Sequence, residues 1–242
     1  MKLFPSLIAQ DFANIPSLIK QLEPHCSGFH VDIMDGQFVP NRGWSVENIN
    51  KIRKLTKKQL WVHLMVLEPE NYNQLMLHKQ DIVSLHYESF CTTSCHAIQL
   101  PPQQKVVDPE YIKGCQESFD ALRVILPILR KNGLRTSLAL SPLTPIGVIQ
   151  PLIDLLDQVV IMSVEPGFSG QQFLPQTWGR LDELINLKNI AKAPFTIALD
   201  GGITQAILKK LKSYREIEAV ALSSAIFQQP DPVKALKEFS KN

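Results

Sequence analysis

The chain has 242 residues, of which 45% are hydrophobic, and a formal net charge of +2. This length and composition suffice for one large buried core, and they favour a single domain. The nearly neutral charge, without a basic stripe interleaved with aromatic residues, argues against a nucleic-acid partner. No window approaches the roughly 18 apolar residues that cross a bilayer, and the first residues make a poor secretory signal, so we expect a cytoplasmic protein without a membrane partner. The four cysteines are too sparse to form a disulfide scaffold.

Short aliphatic runs alternate with longer amphipathic stretches, a pattern typical of repeated βα units. The sequence predicts eight strands, over 2–6, 29–34, 59–65, 81–86, 135–140, 158–162, 195–200 and 219–222. It also predicts eight helices, over 14–23, 45–55, 69–77, 117–133, 145–156, 177–188, 204–213 and 231–240, the last one starting at Asp231. This alternation predicts an α/β fold, a closed (β/α)8 or TIM barrel that forms one domain over 1–242.

One stretch, 89–117, is longer than a usual connection in such a barrel. We expect an insertion after the fourth strand, within the barrel domain and on the face where active sites lie. It carries three cysteines and a histidine, namely Cys91, Cys95, His96 and Cys115. Their spacing matches no standard zinc signature, so a surface loop or a subunit contact is the favoured interpretation. At the end of the fourth strand, His86 and Glu88 fit either support of a nearby site or an interior structural role.

Polar residues share one face of three predicted strands. Because side chains alternate along a strand, His30 and Asp32 lie on one face of the second strand, His63 has the same phase on the third, and Asp200 ends the seventh. Inward side chains at the carboxyl ends of barrel strands converge. Two imidazoles and two carboxylates suit one divalent metal ion, Zn²⁺, Fe²⁺, Mn²⁺ or Co²⁺. The alternative is that all four are polar residues satisfied inside the barrel. Asp35 has the opposite phase and suits a turn.

Glycine-rich turns follow two of the last strands, and a pair of serines follows the eighth. The segments are "EPGFSGQQF" (165–173), "DGGI" (200–203) and "SSAIF" (223–227), the last of which closes strand eight. Backbone N–H groups exposed after the last strands of such a barrel bind phosphate. Glycine also serves merely to allow tight turns, but beside a candidate metal site these segments favour a phosphate ligand.

Five segments, in order, resemble the ribulose-phosphate 3-epimerase family: "PSLIAQDFANI", "FHVDIMDGQFVPN", "VHLMVLEPENY", "MSVEPGFSGQQF" and "LDGGI...SSAIF". The resemblance spans nearly the whole chain apart from the insertion. It implies a TIM barrel of the ribulose-phosphate binding type and a homo-oligomer of unspecified size. It also implies interconversion of D-ribulose 5-phosphate and D-xylulose 5-phosphate, a step of the pentose phosphate pathway.

The resemblance also implies roles for individual residues. His30, Asp32, His63 and Asp200 match the family's metal ligands, and Asp32 and Asp200 match its catalytic acid/base pair. The candidate substrate-binding residues are Ser6, Met34, Met65, Met162, Gly167, Gly170, Gly201, Gly202, Ser223 and Ser224. Two carboxylates suit the reaction, since inversion at carbon 3 removes a proton from one face of the sugar and returns one to the other. The methionines would form a dry wall around the reacting carbon.

Four positions depart from the family's pattern: Ala9, Ser141, Ser169 and Ser223. They surround the predicted pocket and leave the ligands intact, so we expect an active epimerase, and these positions leave open its preference among ketose phosphates in chain length or affinity. Two alternatives stay open, a D-allulose 6-phosphate 3-epimerase and a catalytically silent sugar-phosphate or metal-binding relative. A decarboxylase of the orotidine-monophosphate type is disfavoured, because the string that begins at Asp32 lacks the lysine of that site.

Overall fold

The eight strands form one parallel sheet in this computed structural model, which describes residues 1–90 and 109–241. They are β1 (Lys2–Pro5), β2 (Gly28–Met34), β3 (Gln59–Met65), β4 (Ile82–His86), β5 (Arg135–Leu140), β6 (Gln158–Met162), β7 (Thr196–Asp200) and β8 (Ile217–Leu222). Their order in the sheet is β1-β8-β7-β6-β5-β4-β3-β2. All eight predicted strands are therefore confirmed, with small changes at their ends.

The sheet closes between its two edge strands. Ser6, directly after β1, forms an isolated parallel bridge with His30 of β2. Lower on the same seam, the Ser27 N–H donates to the Leu3 carbonyl at 3.0 Å. The predicted TIM barrel is thus confirmed, and its closure brings Ser6 beside the polar face of β2.

Seven α-helices accompany the strands in the described part of the chain. They are α1 (Ile15–Leu22), α2 (Val46–Leu55), α3 (Pro109–Lys131), α4 (Thr177–Ala191), α5 (Gln205–Leu211), α6 (Ser224–Phe227) and α7 (Pro232–Lys241). The start signal at Asp231 is confirmed, because its carboxylate accepts the Lys234 N–H at 2.9 Å and satisfies a free donor of the first turn of α7. None of the described helices is long and apolar enough to cross a membrane.

Several predicted helices were wrong in type or extent. The segment 69–77 forms only a 3₁₀ turn at Pro69–Tyr72, because the side chain of Asn50 binds the Met76 N–H and the Gln74 carbonyl, which a longer helix would use for its own hydrogen bonds. The segment 145–156 is a 3₁₀ helix at Ile146–Leu155, in which Pro151 lacks a backbone donor.

The region around the predicted insertion also differs in part. The helix predicted over 117–133 begins at Pro109, eight residues earlier in the chain. The predicted end of strand eight at residue 222 is confirmed, and α6 follows it at Ser224–Phe227. The predicted insertion over 89–117 falls largely on 91–108, outside the described residues, and so do Cys91, Cys95 and His96.

Side chains inside the barrel differ in size from one side to the other. Phe4 and Trp61 pack edge to face with ring centroids 5.5 Å apart and fill the interior near β1 and β3. On β7 and β8 the inward residues of the same interior cluster are alanines, Ala198, Ala219 and Ala221. Small inward residues leave unfilled space, which opens as a cavity where the strands end.

Candidate active site

The parallel register places the predicted ligands side by side. β2 and β3 pair so that Asp32 lies beside His63 and Met34 beside Met65. On the other side of the barrel, Asp200 of β7 lies beside Met162 of β6. All six residues are at or near the carboxyl ends of their strands, where a TIM barrel carries its active site.

The structure brings together all four residues predicted as metal ligands. The Nδ1 atom of His63 lies 3.2 Å from Asp200 Oδ2 and 3.5 Å from Asp32 Oδ1. The Nε2 atom of His30 lies 3.6 Å from Asp200 Oδ2. One ligand atom from each residue falls within 4.8 Å of the others.

The donor atoms fit a metal ion. His30 Nε2 and His63 Nδ1 are buried and have no hydrogen-bond partner among the described residues. A buried polar atom without a partner costs about 1–3 kcal/mol, which coordination would relieve. Nitrogen and oxygen ligands lie about 2.0–2.2 Å from a zinc ion, so donors on opposite sides of it are separated by up to about 4.4 Å, close to the observed spread.

Charges in the site depend on one another. Burial opposes ionisation of Asp32, but the imidazoles of His30 and His63 hold the pKa of this carboxyl well below its usual range. The carboxylate also accepts hydrogen bonds from Ser6 Oγ at 2.8 Å and His30 Nδ1 at 3.2 Å. Burial favours the neutral form of His63, yet Asp200 and Asp32 raise its pKa to about 9. The two carboxylates therefore attract positive charge to the point where an ion would bind.

A second buried group lies directly behind His63. The Nε2 atom of His63 is 2.9 Å from Nε2 of His86, and Nδ1 of His86 is 2.9 Å from Glu88 Oε2. The other carboxylate oxygen of Glu88 accepts the Ser141 N–H at 2.8 Å and the Thr144 hydroxyl. Burial opposes the charge of Glu88, but His86 and these donors lower its pKa to about 2.

A cavity of about 370 Å³ opens over the cluster. Its lining includes Asp32, Asp200 and every residue predicted to bind substrate, namely Ser6, Met34, Met65, Met162, Gly167, Gly170, Gly201, Gly202, Ser223 and Ser224. Met34 and Met65 form an apolar cluster with Val39, against which Ile8 and Phe38 pack. One wall of the cavity is thus apolar, while its floor is charged.

Glycine is required at the turn after β7. Gly201 and Gly202 have φ of +104° and +64°, a region that other residues rarely adopt. A Cβ atom on Gly201 would lie 2.2 Å from Val164 Cγ2, and one on Gly202 would lie 2.6 Å from the Phe173 backbone nitrogen. The turn therefore packs tightly against the loop after β6.

Two departures from the family's pattern meet at the cavity rim. Ser169 Oγ and Ser223 Oγ are 2.9 Å apart and join the loops after β6 and β8. Among the described residues, positive φ outside glycine occurs at Gln80 and Lys192, so neither serine lies in the left-handed region that glycine favours. The serines add two hydroxyl groups to the cavity rim.

Sequence reasoning missed polar residues that also line the cavity, among them Asn41 and Arg42. Asn41 Nδ2 donates to the Gly167 carbonyl at 2.7 Å and links the loops after β2 and β6. Their position directly after an inward-facing strand was the available signal, because loops after barrel strands surround the site. Asp35 has the predicted turn role, since its carboxylate accepts N–H groups of the two loops that follow β2 and β3.

Comparison with known proteins decides the family. The model of the family described as "Ribulose-phosphate 3 epimerase family" matches residues 2–105 and 98–227. The chain belongs to this family. Ribulose-phosphate 3-epimerases of Synechocystis sp. and Bacillus subtilis are each 30% identical to it, over 96% and 98% of this chain and 90% and 97% of theirs. The ribulose-phosphate 3-epimerase family consists of isomerases, and this chain is accordingly an epimerase.

Solved structures with low sequence identity share the fold. A 3-hexulose-6-phosphate synthase aligns with a TM-score of 0.60 at 14% identity and covers 100% of this chain and 99% of its own. KGPDC from Streptococcus mutans in complex with D-R5P aligns with a TM-score of 0.61 at 11% identity, over 99% and 95%. At such identity these matches support the barrel fold and nothing finer.

Proposed function

We propose that this epimerase inverts carbon 3 of D-ribulose 5-phosphate to give D-xylulose 5-phosphate, with Asp32 and Asp200 as its acid/base pair. The observation that carries the proposal is the placement of these two carboxylates. Both line one cavity, and they come from β2 and β7, which β1 and β8 separate in the barrel. They therefore reach a bound sugar from different directions, as inversion requires.

The two carboxylates divide the proton transfer. One removes the proton from carbon 3, which the neighbouring ketone acidifies, and the other returns a proton to the opposite face. A single base would tend to return the proton to the face it left. Burial opposes ionisation, but the imidazoles of His30 and His63 hold the pKa of Asp32 low, so this carboxyl is ionised, which is the form from which a general base acts.

His30, Asp32, His63 and Asp200 would hold one divalent ion, Zn²⁺, Fe²⁺, Mn²⁺ or Co²⁺. When bound, such an ion supplies positive charge that stabilises the negative charge developing on the oxygens of carbons 2 and 3. The support for this assignment is the donor set and the unpartnered nitrogens of the two buried imidazoles. The two imidazoles also lie within 3.6 Å of Asp32 and Asp200 and fix the orientation of this acid/base pair.

Met34, Met65 and Met162 would exclude water from the reacting carbon. All three are at most 8% exposed and lie in the cavity lining. Thioether groups are polarisable and apolar, so they pack against the sugar without offering a proton to the ene-diolate. The methionine wall favours return of the proton from Asp32 or Asp200 rather than from solvent.

We place the phosphate at the other end of the cavity, near Gly170, Gly202, Ser223 and Ser224. The hydroxyl pair of Ser169 and Ser223 supports a phosphate or substrate preference different from that of relatives with glycine there. This pair is the one observation that keeps D-allulose 6-phosphate as a second candidate substrate.

Steady-state kinetics with both ketose phosphates test the proposal. We expect epimerisation of D-ribulose 5-phosphate with a higher kcat/KM than that of D-allulose 6-phosphate. A higher kcat/KM with the six-carbon substrate would reassign the substrate, and no turnover of either would favour a silent sugar-phosphate binder. The variants Ser169→Gly and Ser223→Gly, measured with both substrates, show whether the hydroxyl pair sets the preference.

A further inference from the structure

A chain of buried polar groups runs from His63 away from the cavity. His63 and His86 are fully buried and Glu88 is 3% exposed. The rings of His63 and His86 are nearly parallel, 16° apart, and their Nε2 atoms lie 2.9 Å from each other. The chain continues from His86 Nδ1 to Glu88 Oε2, also 2.9 Å. The imidazole of His86 thus connects His63, a candidate metal ligand, to the buried carboxylate of Glu88.

The loop after β5 holds this carboxylate in place. The Ser141 N–H and the Thr144 hydroxyl donate to Glu88 Oε1. Arg180 of α4 in turn donates from one guanidinium nitrogen to the carbonyls of Pro142 and Thr144, at 2.7 and 2.6 Å. Oε1 therefore accepts hydrogen bonds from the loop after β5, while Oε2 lies 2.9 Å from His86 Nδ1.

The direction of each hydrogen bond follows from the chemistry of its ends. An ionised carboxylate only accepts, so His86 must carry its proton on Nδ1. A neutral His86 then has a lone pair on Nε2, which accepts the proton of His63 Nε2. With an ion in place of a second proton, His63 would have its lone pair on Nδ1, the atom that lies 3.2 Å from Asp200 Oδ2 and 3.5 Å from Asp32 Oδ1.

We propose that Glu88 is a positioning residue for the metal centre, which acts through His86 to hold His63 in the tautomer that directs the Nδ1 lone pair towards the ion. The inference rests on the metal centre of the proposed function. Partners that orient a metal-bound histidine typically contribute about 10–100-fold to metal affinity. Here the orienting carboxylate is one imidazole further away than in a direct carboxylate–histidine pair.

Glu88→Gln is the decisive substitution, because it changes hydrogen-bond direction and almost no volume. If the carbonyl oxygen of the new glutamine side chain keeps the hydrogen bonds from Ser141 and Thr144, the NH₂ group faces His86 Nδ1 and needs a hydrogen-bond acceptor there. His86 must then carry its proton on Nε2, which opposes a proton on His63 Nε2 and favours one on Nδ1, where the ion should bind. The substitution thus moves the favoured proton position from Nδ1 to Nε2 on His86 and from Nε2 to Nδ1 on His63.

Titration of the metal-stripped full-length protein with Co²⁺, followed by visible absorption, measures the effect. We expect the Kd for Co²⁺ of Glu88→Gln to rise about 10–100-fold. Glu218→Gln is the matched control, since it neutralises a half-buried glutamate paired with Lys2 and Arg135 at the amino-terminal ends of the strands. Its Kd should equal that of the wild type, even if the protein is less stable.

A second measurement needs no variant. Long-range ¹⁵N–¹H NMR of the Zn²⁺-loaded wild type identifies the protonated nitrogen of each ring, and we expect Nδ1–H on His86 and Nε2–H on His63. A proton on Nε2 of His86 would overturn the inference, and so would equal Co²⁺ affinity of wild type and Glu88→Gln, with the metal centre left intact. Failure of the wild type to bind any of the four ions would overturn the metal centre itself, and the inference with it.

Discussion

Gly202→Ala should weaken both stability and substrate binding, because this glycine packs against the backbone of another loop of the cavity rim. Its φ is +64°, and a Cβ atom there would lie 2.6 Å from Phe173 N, 2.8 Å from Phe173 Cα and 3.1 Å from Gln172 C. All three are backbone atoms. The new methyl group therefore cannot be accommodated by rotation of a side chain, and the loop after β6 must move away from the turn after β7.

The size of the effect follows from these contacts. Left-handed backbone costs an alanine about 1–2 kcal/mol, and displacing a packed segment costs about 1–3 kcal/mol more. We expect a loss of about 2–5 kcal/mol in the free energy of unfolding, or a fall in Tm of roughly 4–20 °C for a chain of this size. Loss of one hydrogen bond to a charged phosphate costs about 1.5–3 kcal/mol, so KM should rise roughly 10–100-fold with a smaller change in kcat.

Urea unfolding and steady-state kinetics on the two matched variants Gly202→Ala and Gly179→Ala check this prediction. Gly179 lies within α4, and none of the described atoms lies within 4 Å of a Cβ built there. Alanine should therefore stabilise the protein by about 0.5–1 kcal/mol through its higher helix propensity and leave KM unchanged. If Gly202→Ala were as stable as Gly179→Ala, or had the KM of the wild type, the packing of the two loops would not support the phosphate site.

Three further predictions concern the floor of the site, its metal and the far end of the barrel. Ser6→Ala removes the hydroxyl that donates to Asp32 Oδ2 at 2.8 Å, so kcat should fall about 10-fold or more with metal content retained; an unchanged kcat would show that Ser6 does not orient this carboxylate. Chelation with EDTA should abolish activity and added Mn²⁺ or Co²⁺ should restore it, whereas full activity of protein shown to be metal-free would refute a metal role. Burial opposes the charge of Glu218, but Lys2, Thr196 and Arg135 lower its pKa from 4.5 to about 2. The ionised Glu218 therefore contributes about 1–2 kcal/mol to the free energy of unfolding, after solvent screening of a partly exposed side chain. This contribution is present above pH 4.5 and is lost as the pH falls towards 2. Glu218→Gln should remove this part of the pH dependence of urea unfolding.

The face of the sheet on which each strand residue lies could be predicted well from the sequence, because alternation with period two is a local property. His30 and Asp32 could be placed on the interior face of β2 from their spacing alone, and the register with β3 then set His63 beside Asp32. Barrel topology added Asp200 from a distant strand. These four positions depend on the backbone, which the pattern of apolar residues determines.

Other features depend on contacts between distant segments, and no local pattern reports them. The segment 69–77 has apolar residues at helical spacing, yet the side chain of Asn50 binds its backbone and keeps it out of a helix. Glu88 could be placed at the end of β4, but its donors are 53 and 56 residues further along the chain. Side-chain rotamers decide such contacts, and the sequence does not encode rotamers in a readable spacing.

Solvent deuterium exchange at carbon 3 tests the two-carboxylate account most directly. Wild-type protein incubated with D-ribulose 5-phosphate in D₂O should yield D-xylulose 5-phosphate that carries deuterium at carbon 3. Asp32→Asn and Asp200→Asn should each lose epimerisation by several orders of magnitude, while whichever variant keeps the base that removes the proton should still exchange it in the unreacted substrate. Epimerisation at the wild-type rate by either variant, or product without deuterium from the wild type, would contradict the assignment of Asp32 and Asp200.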